Sequence, residues 1–586
     1  MSMIRMNDIS IVIGGEAGAG ISAAGFLLGK AFLRGGLHVF GTIDYPSLIR
    51  GGHNFYSLRA ASRPILTQWD TIDLMIALDE KTISHHKDRM VPDGGIIYDS
   101  DQIPVDSSTL PSNGVQLYPI PLETIVKEVE GTRVVRNTVA LGAAMGILGY
   151  DIKRLDDILL ETFTDKGDEI VAMNAKAARE GHDRAKALYT SQFCCQIRPQ
   201  PDKSAKRIFL TGNEAIALGA IAAGCKLYAA YPMTPASPVL HFLTAQAERF
   251  NIVTIQAESE IAAINMVIGA ANLGVRAMTG TSGGGFCLMT EALGMAAMTE
   301  TPIVVMLGQR TGPSTGLPTY TAQGDLLFAI HASQGEFPRV VIAPGDVREC
   351  FESTVEAFNL AEQLQMPVIL LTDKHLLESH CSTKSFATKN VLIDRGKLLS
   401  TERYTGPQPY LRHHITPDGI SPRLIPGTMG ATTHSDSAVH NEQGFVDDAA
   451  DMTRRMADKR YQKIAELKRI LAKHHTIKIH GSTDAEVSLI GWGSTKGVIL
   501  EALNLLKEEG KALSFLQVLY LSPFPAKQIS TFLEGKPTII IEENQTAQLA
   551  SLIHEHTNIT ITHKILQYDG RPFNPLQLAA KIKEVL

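Results

Sequence analysis

Cysteine is scarce in this chain of 586 residues: Cys194, Cys195, Cys225, Cys287, Cys350 and Cys381 are all it has. None forms a Cys-x-x-Cys pair, so no ligand set for zinc or an iron–sulfur cluster is visible. The vicinal Cys194-Cys195 pair reads as coincidence. Electrons leaving through a cluster would need a second chain. An excess of one charge is also missing. Lys and Arg number 55 and Asp and Glu 61, a net charge of -6, which argues against nucleic acid or a membrane surface as main partner. No apolar run approaches the roughly 20 residues of a transmembrane helix, and the start, Met1 to Asp8, carries no secretory pattern. A cytoplasmic protein of three or four domains is expected. His434, His440 and Glu442 fit no metal-ligand spacing, so this chain is assigned no metal.

What the chain does hold is concentrated between Tyr231 and Arg310. Three polar signals stand there: Tyr231-Pro232-Met233-Thr234-Pro235, Glu258-Ser259-Glu260, and Gln309-Arg310 continuing to Gly316. Each follows a short β-type run, at 227–230, 252–255 and 303–307. Runs that are apolar throughout, rather than alternating, are what a parallel sheet covered on both faces requires. Loops leaving the carboxyl ends of such strands line one crevice, so the three signals are expected to converge on one ligand.

Each signal has a plainer reading beside the functional one. The prolines around Thr234 hold its hydroxyl in place; alternatively, Thr234 caps a helix at Pro235. Glu260, before the apolar helix expected at 261–271, should sit in a partly desolvated place that favours its protonated form. Otherwise Glu258 or Glu260 merely stabilises a helix N-terminus. Thr281-Ser282-Gly283-Gly284-Gly285 follows an expected strand at 276–279, and its glycines let backbone approach a flat ring or a substrate. A simple helix-entry loop is the alternative. Arg310 suits a bidentate grip on a carboxylate, with Gln309, Ser314 and Thr315 adding hydrogen bonds. A surface arginine in a Gly/Pro loop would look the same.

The flanking regions carry weaker signals. A strand at 9–13, a glycine-rich turn from Gly14 to Gly20 and a helix at 21–32 form the arrangement that cradles phosphate. Gly18, Gly20 and Ala23 fit a weak G-x-G-x-x-A pattern, with Asp44 about where a ribose ligand would sit. Close packing of helix on sheet explains these small residues equally well. The stretch 45–54 combines Pro46, Gly51 and Gly52 with Arg50, His53 and Asn54, the composition of a binding loop or of a solvated turn. Residues 196–206, polar and basic with two prolines, read as a linker. A charged helix at 447–473 is expected to lie on the surface.

In order and spacing these stretches resemble the 2-oxoacid:ferredoxin oxidoreductases, enzymes dependent on thiamine diphosphate. The match is to an alpha chain with the gamma domain fused ahead of it. Residues 41–54 are similar to the gamma domain, Tyr231 to Arg310 to the pyrimidine-binding domain, and 484–586 to a transketolase C-terminal-like domain. The resemblance implies an α/β fold of three doubly wound, mostly parallel-sheet domains. Their expected bounds are 1–195 (gamma, Rossmann-like), 207–380 (pyrimidine-binding) and 484–586 (transketolase C-terminal-like). A linker at 196–206 and a connector at 381–483 join them. It also implies that Glu260 is the carboxyl on the pyrimidine N1′, with Tyr231, Pro232, Ser282 and Gly283 around the cofactor. Thr234 and Arg310 would then be catalytic and touch the substrate, together with Ser314 and Thr315, and Arg310 would bind its 1-carboxylate. Gly18, Gly20, Arg50 and His53 are assigned to coenzyme A or to a subunit contact. The chain departs from the family pattern at Met233, usually isoleucine, and from many thiamine enzymes at Gly284, often proline.

The implied reaction takes a 2-oxoacid and coenzyme A to acyl-coenzyme A, carbon dioxide and reduced ferredoxin. The fused layout and the Gly312-Pro313-Ser314-Thr315-Gly316 loop resemble the branch acting on 2-oxoglutarate; pyruvate and branched-chain or aryl 2-oxoacids stay open. Thiamine enzymes hold the diphosphate through magnesium at a Gly-Asp-Gly pattern. Here Gly167-Asp168, Gly324-Asp325 and Gly345-Asp346 are none of them followed by glycine. Mg2+, which needs such oxygen ligands, and a [4Fe–4S] cluster are therefore expected on a beta subunit, in an assembly of two alpha and two beta chains. Three other readings stand beside this one: half of a split transketolase-type enzyme, a nicotinamide-dependent oxidoreductase built on the Gly18 turn, and a non-catalytic assembly subunit.

Overall fold

The computed structural model describes residues 5–46, 52–189, 193–200, 207–482 and 485–586. The chain forms two compact units. One comprises Met1–Leu210, Glu378–Ser385 and Asn574–Leu576; the other comprises Thr211–Leu377, Phe386–Phe573 and Gln577–Leu586. No helix among the described residues is long and apolar enough to cross a membrane.

The first unit is built on one eight-stranded sheet. The expected first strand, Asp8–Glu16 (β1), is buried from Ile9 to Gly15 and leads through a short turn into helix Ile21–Arg34 (α1). Gly14 and Gly15 thus belong to the strand, and the turn proper is 17–20, with Gly18 and Gly20 at positive φ. Then come His38–Asp44 (β2), His53–Ala61 (β3), Ile72–Ala77 (β4), helix Glu80–His86 (α2), Met90–Asp99 (β5) and Gln116–Ile120 (β6). The strand order is β6-β5-β4-β1-β3-β2, continued by His380–Lys384 and Arg207–Leu210. Strands β1, β4, β5 and β6 run parallel, whereas β3 is antiparallel to both its neighbours. His53 and Asn54, expected in a loop, already pair with Glu16 and Gly15. Arg50 lies outside the described residues.

The second unit holds two sheets. Its central sheet contains Leu227–Ala230 (β7) and Val253–Gln256 (β8). Helix Glu260–Asn272 (α3) leads to Ala277–Ser282 (β9), and helix Gly283–Met298 (α4) to Val304–Gln309 (β10). Val340–Ile342 (β11) and Val368–Asp373 (β12) complete the parallel set, in the order β8-β7-β9-β10-β12-β11. Strands β9, β10 and β12 are buried at every position, including their polar carboxyl-terminal residues, as in a parallel sheet covered on both faces. The second, five-stranded sheet comes from residues 477–566, with four parallel strands and one antiparallel edge.

The charged helix predicted at 447–473 forms over Ala450–Leu471 (α5), but it does not float its charges in solvent. Lys459 and Lys463 are among its most buried residues. Both ammonium groups reach Glu300, which follows α4 in a left-handed conformation and is itself fully buried. A charged side chain placed against one buried counter-charge reads in sequence like a surface residue. Here it is an internal tie.

Candidate active site

The three polar signals leave the carboxyl ends of adjacent parallel strands. The Tyr231 loop follows β7, Glu260 follows β8, Ser282 ends β9, and Arg310 follows β10. This is the crevice geometry of open α/β sheets.

Glu260 is selected over Glu258 by its surroundings. Ser259 caps α3, accepting from Ala262 N–H at 3.2 Å, so neither glutamate is needed as the cap. Glu258 is exposed. Glu260 is 3% exposed, and its Oε1 is buried without a hydrogen-bond partner. A buried carboxyl oxygen left unpartnered is costly and demands a reason. It lies against Gly285 in the first turn of α4, where an added Cβ would come within 2.5 Å of Oε1. Thr281 Oγ1, near the end of β9 and also against Gly285, is likewise buried and unpartnered. The chain therefore keeps a carboxyl and a hydroxyl unused beside three glycines. That donor set fits the hydrogen-bonding edge of an aminopyrimidine.

Arg310 and Thr234 are brought together. Arg310 Nη1 donates to the Thr234 carbonyl at 2.9 Å, and the Arg310 side chain is half-buried. Burial lowers its proton affinity, so a carboxylate would be welcome there. Thr234 and Pro232 are partly buried and Tyr231 is exposed. The far side of that loop is pinned by Asn213 Nδ2, which donates to the Pro235 carbonyl at 3.0 Å. Ser282 Oγ donates to Met233 Sδ at 2.6 Å, joining the Tyr231 loop to the end of β9. Ser314 and Thr315 stand exposed in the loop that the Thr311–Leu317 bridge closes.

Two residues behave otherwise than their sequence implies. Gln309, expected to hydrogen-bond substrate, is fully buried; its Nε2 donates to the Thr372 carbonyl and its Oε1 accepts from Asp325 N–H. Asp325, considered in sequence only as a failed magnesium signal, sets its carboxylate against Gly283. Its contact is made through space, and no local pattern announces it.

In the first unit, Gly18 and Gly20 form the turn before α1. His53 turns onto α2: its Nε2 is 2.9 Å from His86 Nε2, and its ring stacks on Phe55. Burial lowers the proton affinity of both histidines, that of His86 to about 3. Among the described residues no group of three His, Cys, Asp or Glu is placed to hold a metal.

Comparison with known proteins gives this geometry a family. Residues 218–459 match the model described as pyruvate flavodoxin/ferredoxin oxidoreductase, thiamine diphosphate-binding. Residues 10–184 match pyruvate ferredoxin/flavodoxin oxidoreductase, and 485–578 match pyruvate:ferredoxin oxidoreductase core domain II. A 2-oxoacid:ferredoxin oxidoreductase alpha subunit from a Sulfolobus species is 33% identical over 619 residues, covering 96% of this chain and 95% of its own. The 2-oxoglutarate oxidoreductase subunit KorA of Mycobacterium tuberculosis is 30% identical, covering 94% of this chain and 87% of its own. Among solved structures, the 2-oxoglutarate:ferredoxin oxidoreductase of Magnetococcus marinus, with 2-oxoglutarate, coenzyme A and succinyl-CoA bound, is 34% identical. Its TM-score is 0.90, with 99% of each chain covered. With relatives matched along nearly the whole chain, this protein belongs to the thiamine-dependent 2-oxoacid:ferredoxin oxidoreductases, as an alpha subunit.

Proposed function

We propose that this chain serves the oxidative decarboxylation of 2-oxoglutarate with coenzyme A, giving succinyl-CoA, carbon dioxide and reduced ferredoxin. The observation that carries the reading is the buried, unpartnered Glu260 Oε1 beside Gly285. The choice of 2-oxoglutarate is supported by relatives named for that substrate. Glu260, Tyr231, Pro232, Ser282 and Gly283 would hold thiamine diphosphate, which when bound supplies the nucleophilic carbon and the electron sink for loss of carbon dioxide. Glu260 would meet the pyrimidine with its buried, unpartnered Oε1. Arg310 draws the substrate carboxylate to the mouth of β10. Its bond to the Thr234 carbonyl fixes the Thr234 loop at the same place, with Ser314 and Thr315 on the exposed side.

The rest of the assembly follows from what the chain lacks. A beta subunit would bring the magnesium and diphosphate site and the [4Fe–4S] cluster, in an assembly of two alpha and two beta chains. Gly18, Gly20, Arg50 and His53 would serve coenzyme A or a subunit contact. The functional division is 1–195, linker 196–206, 207–380, connector 381–483 and 484–586. The test is anaerobic co-purification with the product of the neighbouring gene, followed by viologen reduction. Reduction that needs both 2-oxoglutarate and coenzyme A is expected. Reduction with pyruvate instead would move the specificity, and none with any 2-oxoacid would overturn the reading.

A further inference from the structure

The two adjacent cysteines meet in the structure. Neighbouring side chains of a strand point to opposite faces, but Cys194 stands in a bend just ahead of the short strand Cys195–Gln196. Its Sγ is in contact with Cys195 Sγ, 3.6 Å away. Cys195 is buried and Cys194 partly exposed. The short strand pairs in parallel with Arg5–Met6, and Arg5 N–H donates to the Cys194 carbonyl at 2.8 Å. The Arg5 guanidinium reaches both the Cys194 sulfur and the Asp73 carboxylate on β4. Asp73 is buried, and its Oδ2 accepts from Ser10 N–H at 2.7 Å. Backbone pairing and an anchored carboxylate thus hold one cation beside the sulfur pair.

We infer that Cys194 and Cys195 form a redox-active dithiol, in which Cys194 is the nucleophile toward peroxides and Cys195 closes the disulfide. None of these residues belongs to the candidate thiamine site. Peroxides are attacked by a thiolate rather than a thiol, and a cation beside a partly exposed sulfur favours the thiolate. The Cys195 S–H, donating to Cys194, and the Arg5 guanidinium hold the Cys194 thiol below the ordinary range against the effect of burial. The same bond, with burial, pushes Cys195 up. The two sulfurs are therefore unequal, and the exposed one is the more acidic. Of the other groups facing Cys194, Asp73 opposes the thiolate, and burial keeps the Tyr118 hydroxyl on β6 un-ionised. In the first step the Cys194 thiolate attacks one peroxide oxygen. The O–O bond breaks, an S–O bond forms, and the departing oxyanion takes a proton from solvent. In the second step Cys195 gives up its proton and attacks Cys194 Sγ. The S–O bond breaks, water leaves with that proton, and the S–S bond forms. The dithiol loses two electrons and the peroxide gains them.

The test uses the complex of this chain with its beta subunit, prepared without oxygen. Alkylation of Cys194 by iodoacetamide is followed across pH by mass spectrometry of the peptide that holds both cysteines. Its midpoint should fall clearly below the value of about 8.5 for an ordinary cysteine. Arg5→Met should move it up, and Arg5→Lys, which keeps the charge, should restore it. One equivalent of hydrogen peroxide should remove two hydrogens from the same peptide, and dithiothreitol should return them. In Cys195→Ser the peptide should gain oxygen at Cys194 instead. A wild-type midpoint at or above about 8.5, or two thiols still open to alkylation after peroxide, would overturn the inference.

Discussion

Helix α4 has a buried glutamate at each end, and the chain treats the two oppositely. At its first turn Glu260 Oε1 has no partner. Beyond its last turn Glu300 is saturated: Lys459 Nζ lies 2.6 and 2.7 Å from its two oxygens, Lys463 Nζ 2.6 Å from Oε2, and His413 Nδ1 3.0 Å from Oε1. Burial alone would raise the Glu300 carboxyl, but Lys459, Lys463 and His413 outweigh it and hold it well below the usual range. Burial is therefore the same for both glutamates and says nothing of their roles. What separates them is whether the chain itself completes the hydrogen bonds. A completed buried carboxyl is a structural tie, while an incomplete one is kept for something the chain does not contain.

Substitutions at the two ends should part activity from stability. Glu260→Gln should lower turnover of the reconstituted complex by about 10²–10⁴-fold, the range for a lost proton-transfer group. It should leave denaturant unfolding within about 1 kcal/mol of wild type, because no internal bond to Oε1 is lost. Glu300→Gln should do the reverse. It leaves two buried ammonium groups uncompensated and should cost about 3–5 kcal/mol of stability, while the fraction that folds keeps its KM for substrate. A comparable stability loss in both variants would erase the distinction.

Arg310→Met sharpens the functional side. A hydrogen bond to a charged group contributes about 1.5–3 kcal/mol, so kcat/KM for the 2-oxoacid should fall roughly 10–150-fold. Thiamine diphosphate affinity should be unchanged, since Arg310 is assigned to substrate alone. A fall in cofactor affinity would reassign it.

A pH dependence is expected at the structural end. Burial pushes Lys463 down to about 7, with Glu300 partly offsetting it, whereas an unfolded lysine keeps its proton to about 10.4. Between these values the unfolded state holds more protons, so stability from this group rises as pH increases from about 7 toward 10. Glu300 stays ionised and His413 neutral through that window. The wild-type advantage over Lys463→Met, from thermal unfolding, should therefore grow with pH. A flat or falling difference would contradict the assignment.

Much of the fold was legible because it is written in short apolar runs. The runs at 227–230, 252–255 and 303–307 became parallel strands within a residue or so of their expected bounds. The placing of Glu260, Thr234 and Arg310 just after the carboxyl ends of neighbouring strands followed from that parallel order. The misreadings share one cause, which is that pairing through space leaves no mark in local pattern. Lys459 and Lys463 read as surface charge because Glu300 is far away in sequence. Gln309 read as a substrate ligand because it adjoins Arg310, yet a strand's alternation turns its side chain inward to Asp325. His53 read as a loop residue because glycines precede it, while pairing with Glu16 draws it into β3.

The most direct measurement is the thermal shift produced by thiamine diphosphate and Mg2+ in the alpha–beta complex, wild type against Glu260→Gln. A ligand that binds only the folded state raises stability with its concentration over Kd. Wild type should show a clear, saturable rise in Tm, and Glu260→Gln a rise displaced to at least about tenfold higher cofactor concentration. Identical curves would mean that the unpartnered oxygen of Glu260 is not what the cofactor meets.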